Sequence, residues 1–597
     1  MVGSHPGSPR SAGLDYSRLS SQQYGPNAAD APVPATASLL GDSAPGSHLS
    51  IPRPMSGYNS NRASHVSRAS TAFTSGDGWG WNDPEADDYL HNPDPKRDGK
   101  NDRGGSVFTW RGVTNVGCLF MLLICLITLF AGYPIITHFT EDKQSNNGAY
   151  NMGGINSTGQ VPYIPNFPQL IDPDTPSDVM SRTGFDGNNY ELVFSDEFNK
   201  DGRTFYEGDD PFWQAVDFHY WPTGDLEWYD PSAITTEGGN LKITMSQEPL
   251  HDLQFQSGML QSWNQMCFQY SYYMEVSVSL PGNNRIGGFW PGVWTMGNLG
   301  RPGYGATTDG TWPYTYDSCD VGTLVNQTNP DGKAPAAALN TGTDDGTLSY
   351  LPGQRVSACT CKGEDHPGPD VSYGRGVPEI DIIEAQVEIS TSKGEMSQSL
   401  QVAPFDDFYQ FDNSSAYVTI YDQDVTLLNS YLGGIYQQAV SALSYVPNGV
   451  YQGTSGQFNI YGVEVFSDPN NRQNGYVTWV ANGAKTWTMK AGAVGANTRV
   501  GIGERLISEE PMSMIINFGM SNGFQTVDLA HLAFPNEMLV DYVRVYQRPG
   551  VGYLGCDPAD RPTAAYIANH QDAYQNPNYT TWAAAGYTWP KNSLTGC

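Results

Sequence analysis

Val377-Pro-Glu-Ile-Asp-Ile-Ile-Glu-Ala-Gln386 is an apolar, strand-like run that carries three carboxylates, Glu379, Asp381 and Glu384. Acids in so apolar a stretch add nothing to a hydrophobic core and cost free energy when buried. Side chains of a regular strand alternate between faces, which puts Glu379 and Asp381 together and sends Glu384 to the opposite face. One extra residue in a β-bulge at Ile382-Ile383 returns Glu384 to their side, and bulges often sit beside active sites. The expectation is a bulged strand that buries its isoleucines and aims all three acids into one cleft.

Two carboxyl groups about 5–5.5 Å apart suit cleavage of a glycosidic bond with retention, one acting as nucleophile and the other as acid and then base. Glu379 is expected to be the nucleophile and Glu384 the acid/base. Asp381, between them, is an assisting carboxylate, because neighbouring acids push one another's pKa values apart. The intervening isoleucines argue against a solvated acidic edge, and a calcium site would favour short acids on flexible loops.

Outward from this strand, residues 189–548 hold short alternating or apolar segments, among them ELVF, LKITM, YYMEVSVSL, FNIYGVEVF, YVTWVAN, MSMIINF and VDYVRVYQ, separated by Gly, Pro, Asn and Asp. Their period and β-branched content predict strands. No long amphipathic helix interleaves them, which predicts an all-β sandwich of the jelly-roll kind. Residues 298–377 break the rhythm with a Gly-, Thr- and Asp-rich stretch holding Cys319, Cys359 and Cys361, read as a stapled insertion beside the working face. Residues 549–597 form a tail expected to pack back on the domain through a disulfide.

Upstream, Val116 to Ile136 runs without a charge, enough for a helix over 112–136 to cross a hydrocarbon core of roughly 30 Å. Lys96, Arg97, Lys100, Arg103 and Arg111 precede it, whereas Glu141, Asp142 and a single Lys143 follow. That asymmetry predicts a cytosolic N-terminus and a type II, signal-anchored, single-pass protein of the secretory pathway. Trp110 and Tyr133 would mark the two interfaces. Residues 1–109 are rich in Ser, Gly, Pro, Asn and Asp and read as a disordered cytosolic tail. Its Arg62-Ala-Ser64 and Arg68-Ala-Ser70 are either kinase sites or ordinary tail. Residues 137–188, interrupted by prolines, read as a lumenal stalk. Sequons at Asn156, Asn326, Asn413 and Asn578 all lie beyond the run, as glycosylation in this topology requires.

Cys118 and Cys125 lie within the apolar run, and Cys267, Cys319, Cys359, Cys361, Cys556 and Cys597 all follow it, which fits an oxidising compartment on that side. A bond between Cys359 and Cys361 would be too strained; the pairing is otherwise open. The net charge of -31 provides no long-range attraction for nucleic acid, whereas a neutral glycan needs no basic groove. Aromatics at 12% suit carbohydrate binding. The Gly303–Gly310 stretch lacks the Lys-Ser/Thr of a phosphate loop, and Cys359, Cys361 and His366 make only half a zinc site, so neither cofactor nor metal is assigned.

The segment Glu379-Ile-Asp-Ile-Ile-Glu384 resembles the catalytic signature of glycoside hydrolase family 16, in the form with an added residue before the last Glu. Leu192-Val-Phe-Ser-Asp-Glu-Phe198, Gly288-Phe-Trp-Pro-Gly-Val-Trp294 and Val540-Asp-Tyr-Val-Arg-Val-Tyr546 match other blocks of that family in order. The resemblance implies a concanavalin A-like jelly roll and retaining chemistry on β-glucans and galactans. The order of tail, span and domain, with Trp221-Pro-Thr-Gly-Asp-Leu-Glu-Trp-Tyr229 and the tail beyond residue 548, resembles more narrowly the fungal β-glucan synthesis-associated proteins required for β-1,6-glucan. It implies a β-glucan ligand, other wall-synthesis proteins as partners, and aromatic subsites at Trp290, Trp294, Trp228 and Trp479. Two functions remain open: a glycosidase or transglycosylase, and a glucan-binding scaffold that keeps the fold without turnover. The tail offers a third, sorting role compatible with both.

Overall fold

The structure, a computed structural model, describes Lys96, residues 108–133, Ile135 and residues 168–597. Most of the tail and of the stalk, with Asn156, therefore lies outside the described residues. In one compact unit, Trp110–Ile127 is α-helical and Thr128–Gly132 continues as a π turn. Among the described residues no helix is long and apolar enough to cross a membrane.

The other unit is a β-sandwich. Alternation of apolar and polar residues produces strands with one buried face, and among the described residues these form two large antiparallel sheets, of ten and eleven strands, plus a small three-stranded one. The outer sheet runs through Asn189–Asp196, Asn536–Gln547, Ser271–Ser279, Asn459–Phe466, Tyr476–Ala481 and Ala484–Lys490 in that order. The cleft sheet runs Gln437–Val446, Lys393–Val402, Glu379–Glu388, Phe289–Gly297 and Met512–Met520. Val276, Val463 and Val543 from the outer sheet meet Val293, Ile383, Leu400 and Ile516 from the cleft sheet in one core. The all-β sandwich expected from the strand rhythm is what forms.

The boundary of the domain needs correction. Ser181–Thr183, inside the stretch read as stalk, pairs with Asn189–Asp196. Farther upstream, Asp172 receives a bond from the backbone of Glu197 and donates its own N–H to Ser195. The polar residues Asp172 and Thr175 of this segment thus satisfy the domain's edge.

Three disulfides resolve the cysteine pairing: Cys267–Cys556, Cys319–Cys359 and Cys361–Cys597. Two of them tie the C-terminal segment down, and Tyr553–Leu554 adds a short strand beside Phe268–Gln269. The insertion carries no long strand or helix of its own. Part of it packs with Ala403, Phe405 and Ile502 through Tyr314, Tyr316 and Leu348, and part with the C-terminal segment through Trp312 and Val356. Just before the site strand, Arg375 makes a two-point ion pair with Glu510 at 2.7 and 2.8 Å, both side chains buried, so the entry to that strand is held on a fixed anchor.

Candidate active site

The register of the site strand contains the bulge. Against Phe289–Gly297, Gly292 faces Glu384, Val293 faces Ile383, and Trp294 faces Asp381, so Ile382 is the extra residue. The ladder to Lys393–Val402 shifts at the same place. Ile380, Ile382, Ile383 and Ala385 consequently all enter the core, while Glu379, Asp381, Glu384 and Gln386 line one open cleft. A bulge frees backbone carbonyls from the ladder, and buried carbonyls need donors. Here Trp479 Nε1 donates to Asp381 O at 2.8 Å, and Gln398 Nε2 donates to Ile382 O at 3.2 Å.

The acids differ in their donors, with Ser399 near both Asp381 and Glu384. Trp312 Nε1 donates to Glu379 Oε2 at 2.7 Å. Ser399 Oγ and Gln401 Nε2 donate to Asp381 Oδ2 at 2.7 and 3.0 Å. Ser399 Oγ lies farther from Glu384 Oε2, at 3.4 Å. Burial, then the neighbouring Asp381, push the Glu379 carboxyl well above the usual range, with Trp312 opposing. Burial and Asp381 also push Glu384 well up, against Trp290, Ser399 and Ser397. Burial raises Asp381 to about 6, its hydroxyl and amide donors pulling the other way. Three carboxyls in one floor cannot all ionise at neutral pH. Asp381 is raised least, while Glu379 and Glu384 both stand well above the usual carboxylate range.

The predicted aromatics divide. Trp290 lines the cleft half-exposed and stacks on Phe524, ring centroids 4.3 Å apart and planes within 6°. Trp294 also lines it, its indole fixed to Asn517 Oδ1 at 2.9 Å. Trp479 is a correction: it is fully buried, stacked on Trp487 at 4.1 Å, and supports the bulge from the core side instead of meeting ligand. Trp228 is another, since it sits outside the cleft lining, bonded to Asp217 and tilted at 37° against the His251 ring 4.2 Å away. Of the described sequons, Asn413 and Asn578 are exposed and Asn326 is half-buried. Cys359 and Cys361 are both taken up in disulfides, and among the described residues no His, Cys, Asp and Glu cluster forms a metal site.

Several cleft residues escaped the sequence reading. Ser397, Ser399 and Gln401 alternate with the core residues Met396 and Leu400, a period-two signal broken only by Gln398, which turns inward to serve the bulge. A second acidic group comes from Asp225-Leu-Glu-Trp-Tyr229. Asp225 accepts from Thr223 Oγ1 at 2.6 Å and from Tyr229 Oη at 3.0 Å, and Asn517 Nδ2 donates to that same Tyr229 hydroxyl at 3.1 Å. Burial raises Asp225 to about 7, from a model-compound value of 3.8. A carboxyl raised on folding stabilises fully below its unfolded pKa, and that stability is lost as pH rises through the folded value. Melting temperature should therefore fall between about pH 4 and 7, and Asp225→Asn should flatten that slope in a thermal scan across pH.

The sequence matches the family described as β-glucan synthesis-associated protein SKN1/KRE6/Sbg1 over residues 79–597. The chain belongs to that family. It is 44% identical over 530 residues to β-glucan synthesis-associated protein KRE6 of Saccharomyces cerevisiae, covering 86% of this chain and 68% of that protein. To the SKN1 protein of Candida albicans it is 43% identical over 521 residues, covering 86% and 67%. Among solved structures, the laminarinase catalytic domain of Thermotoga petrophila aligns at 16% identity and TM-score 0.35, over 61% of this chain and 100% of that one. The endo-β-1,3-glucanase of Pyrococcus furiosus aligns at 16% identity and TM-score 0.36, over 62% and 98%. At those scores neither bears on substrate or mechanism.

Proposed function

We propose that this member of the family is a membrane-anchored retaining glycosidase or transglycosylase that remodels β-glucan during wall assembly. The observation that carries this is the bulge that turns Glu379, Asp381 and Glu384 into one cleft. Glu379 attacks the anomeric carbon while Glu384 protonates the departing oxygen, leaving a glycosyl-enzyme. Glu384, now ionised, takes the proton of water or of an incoming sugar hydroxyl, and the ester to Glu379 is broken with overall retention. Asp381 steers the proton to Glu384. The paired rings of Trp290 and Phe524 offer an apolar face for a sugar ring. That its relatives are β-glucan synthesis-associated proteins favours a sugar over water as acceptor.

Anchoring rests on the uncharged run Val116–Ile136 and its flanking charges. Within the helix there, Leu119, Phe120 and Met121 are exposed, as side chains facing lipid would be. On this proposal the sandwich is lumenal or extracellular, its exposed sequons are glycosylated, and other wall-synthesis proteins are its neighbours in the secretory pathway. The test is incubation of the purified chain with β-1,3- and β-1,6-linked gluco-oligosaccharides, products being followed by mass. Products longer than the donor are expected; binding without any conversion would leave a glucan-binding scaffold.

A further inference from the structure

The insertion brings one side chain to the candidate nucleophile. Trp312 is almost fully buried, at 6% exposure, and its indole N–H points at Glu379 Oε2 from 2.7 Å. On the insertion side of Glu379 lies a second, much smaller cavity, lined by Tyr220, Met296, Thr308, Trp312 and Glu379 itself. A glutamate has freely rotating side-chain bonds, so a fixed donor is what keeps its carboxylate in attack geometry.

What fixes the donor is unusual, because the turn carrying it has only the short helix Gly305–Thr308 as regular structure. Trp312 N–H bonds to Thr308 O at 3.0 Å, and Val377 N–H bonds to Thr311 O at 2.9 Å, which ties the turn to the entry of the site strand. Arg355 then spans it, donating to Asp309 O at 2.9 Å and Thr307 O at 3.0 Å. The same guanidinium reaches the C-terminal segment, donating to Tyr566 Oη at 2.8 Å and lying 3.6 Å over the ring of Trp582. The backbone N–H of Trp582 closes the clamp on Asp309 Oδ2 at 2.9 Å. Cys267–Cys556 and Cys361–Cys597 hold that segment in place.

We propose that Trp312 is a positioning residue that holds the Glu379 carboxylate toward the cleft, and that the C-terminal segment acts on the nucleophile through it by way of Arg355 and Trp582. This rests on Glu379 being the nucleophile. The other titratable groups facing Glu379 are Asp381 and Glu384 from its own strand, with Asp225, Tyr229, Tyr220 and Tyr431 lining the same cleft from other elements. None of these is a cation, and the indole N–H of Trp312 donates to the carboxylate from the insertion side, which favours the anion. Removing it should raise the carboxyl's pKa, since a donor to the charged form lowers it.

Two readouts test this in the full chain. In Trp312→Phe, which keeps a ring and removes the donor, glycosyl-enzyme formation should slow about 10- to 100-fold with KM little changed. Its acid limb should move to higher pH. Arg355→Lys should move both in the same direction by less. Independently of any turnover, the Glu379 carboxyl, followed by infrared difference against Glu379→Gln, should titrate higher in Trp312→Phe than in the parent. A purely structural role would lower the melting temperature and leave both the limb and the titration where they were. A folded Trp312→Phe protein with parental rate and parental titration overturns the inference. A parent that forms no glycosyl-enzyme on any β-glucan overturns the catalytic proposal instead, and the infrared titration still decides whether Trp312 sets the Glu379 anion.

Discussion

Glu379→Gln should abolish formation of the covalent glycosyl-enzyme while leaving glucan binding within a few-fold of the parent. The amide keeps the size of the side chain and can still lie beside Trp312, but it has no anionic oxygen to attack an anomeric carbon. Loss of a nucleophile removes an interaction made only along the reaction path, and a drop of more than about 10³-fold in kcat/KM, about 4 kcal/mol in the barrier, is expected. The measurement is intact-protein mass after exposure to a slow-turnover fluorinated donor: one added glycosyl unit in the parent, none in the variant. The packing around Glu379 gives no reason for the variant to misfold. Neutralising a buried acid that already lies well above the ordinary carboxylate range removes a desolvation cost.

Glu384→Gln should have the second largest effect, and its signature is different. Without a proton to give, departure of a sugar alkoxide should slow by about 10²–10⁴-fold. A donor with an aryl leaving group needs little protonation, so glycosylation of Glu379 by such a donor should be nearly spared and the adduct should accumulate. The high-pH limb of the parent, where Glu384 loses its proton, should vanish in the variant. Because burial and Asp381 raise Glu384, that limb is expected well above the ordinary carboxylate range. Rates read by leaving-group release against pH for both kinds of donor would check this. Equal losses on both donors would assign Glu384 to substrate binding instead of proton transfer.

The acids and their bulge were legible because a period-two strand makes a definite statement about faces, and Glu384 violates it by one residue. The isoleucines on either side of the bulge then had only the core to enter. Tryptophans carry no such statement. Trp479 and Trp294 both sit in strands rich in apolar neighbours, yet one stacks on Trp487 behind the site and the other bonds to Asn517 within it. Which face a large aromatic takes depends on partners far away in sequence. Trp312 was invisible for a further reason: its segment has no period, and the turn that carries it is held by Arg355 and Trp582, residues of the insertion and the C-terminal segment. The cysteines signalled that such long-range ties exist without saying which pairs they make; Cys361–Cys597 joins the two segments that meet at this clamp.

Asp225 and Glu227 show the same limit from the other side. Their motif was read as a mark of family likeness, but the chemistry lies in burial. Asp225 accepts from Thr223 and Tyr229 and reaches the cleft wall, while Glu227 accepts from the backbone N–H of Met520. A buried pair of acids in a motif with a tyrosine two residues on is a packing fact that no local pattern predicts.

The central claim is that Glu379 and Glu384 perform retaining chemistry on β-glucan. Its most direct test is the anomeric configuration of the first-formed product, followed by proton NMR in the initial minutes after the purified chain meets a β-linked gluco-oligosaccharide. The account predicts a β-configured product or transfer product, lost in both Glu379→Gln and Glu384→Gln. An α-configured product would contradict it, as would conversion that survives the loss of Glu379.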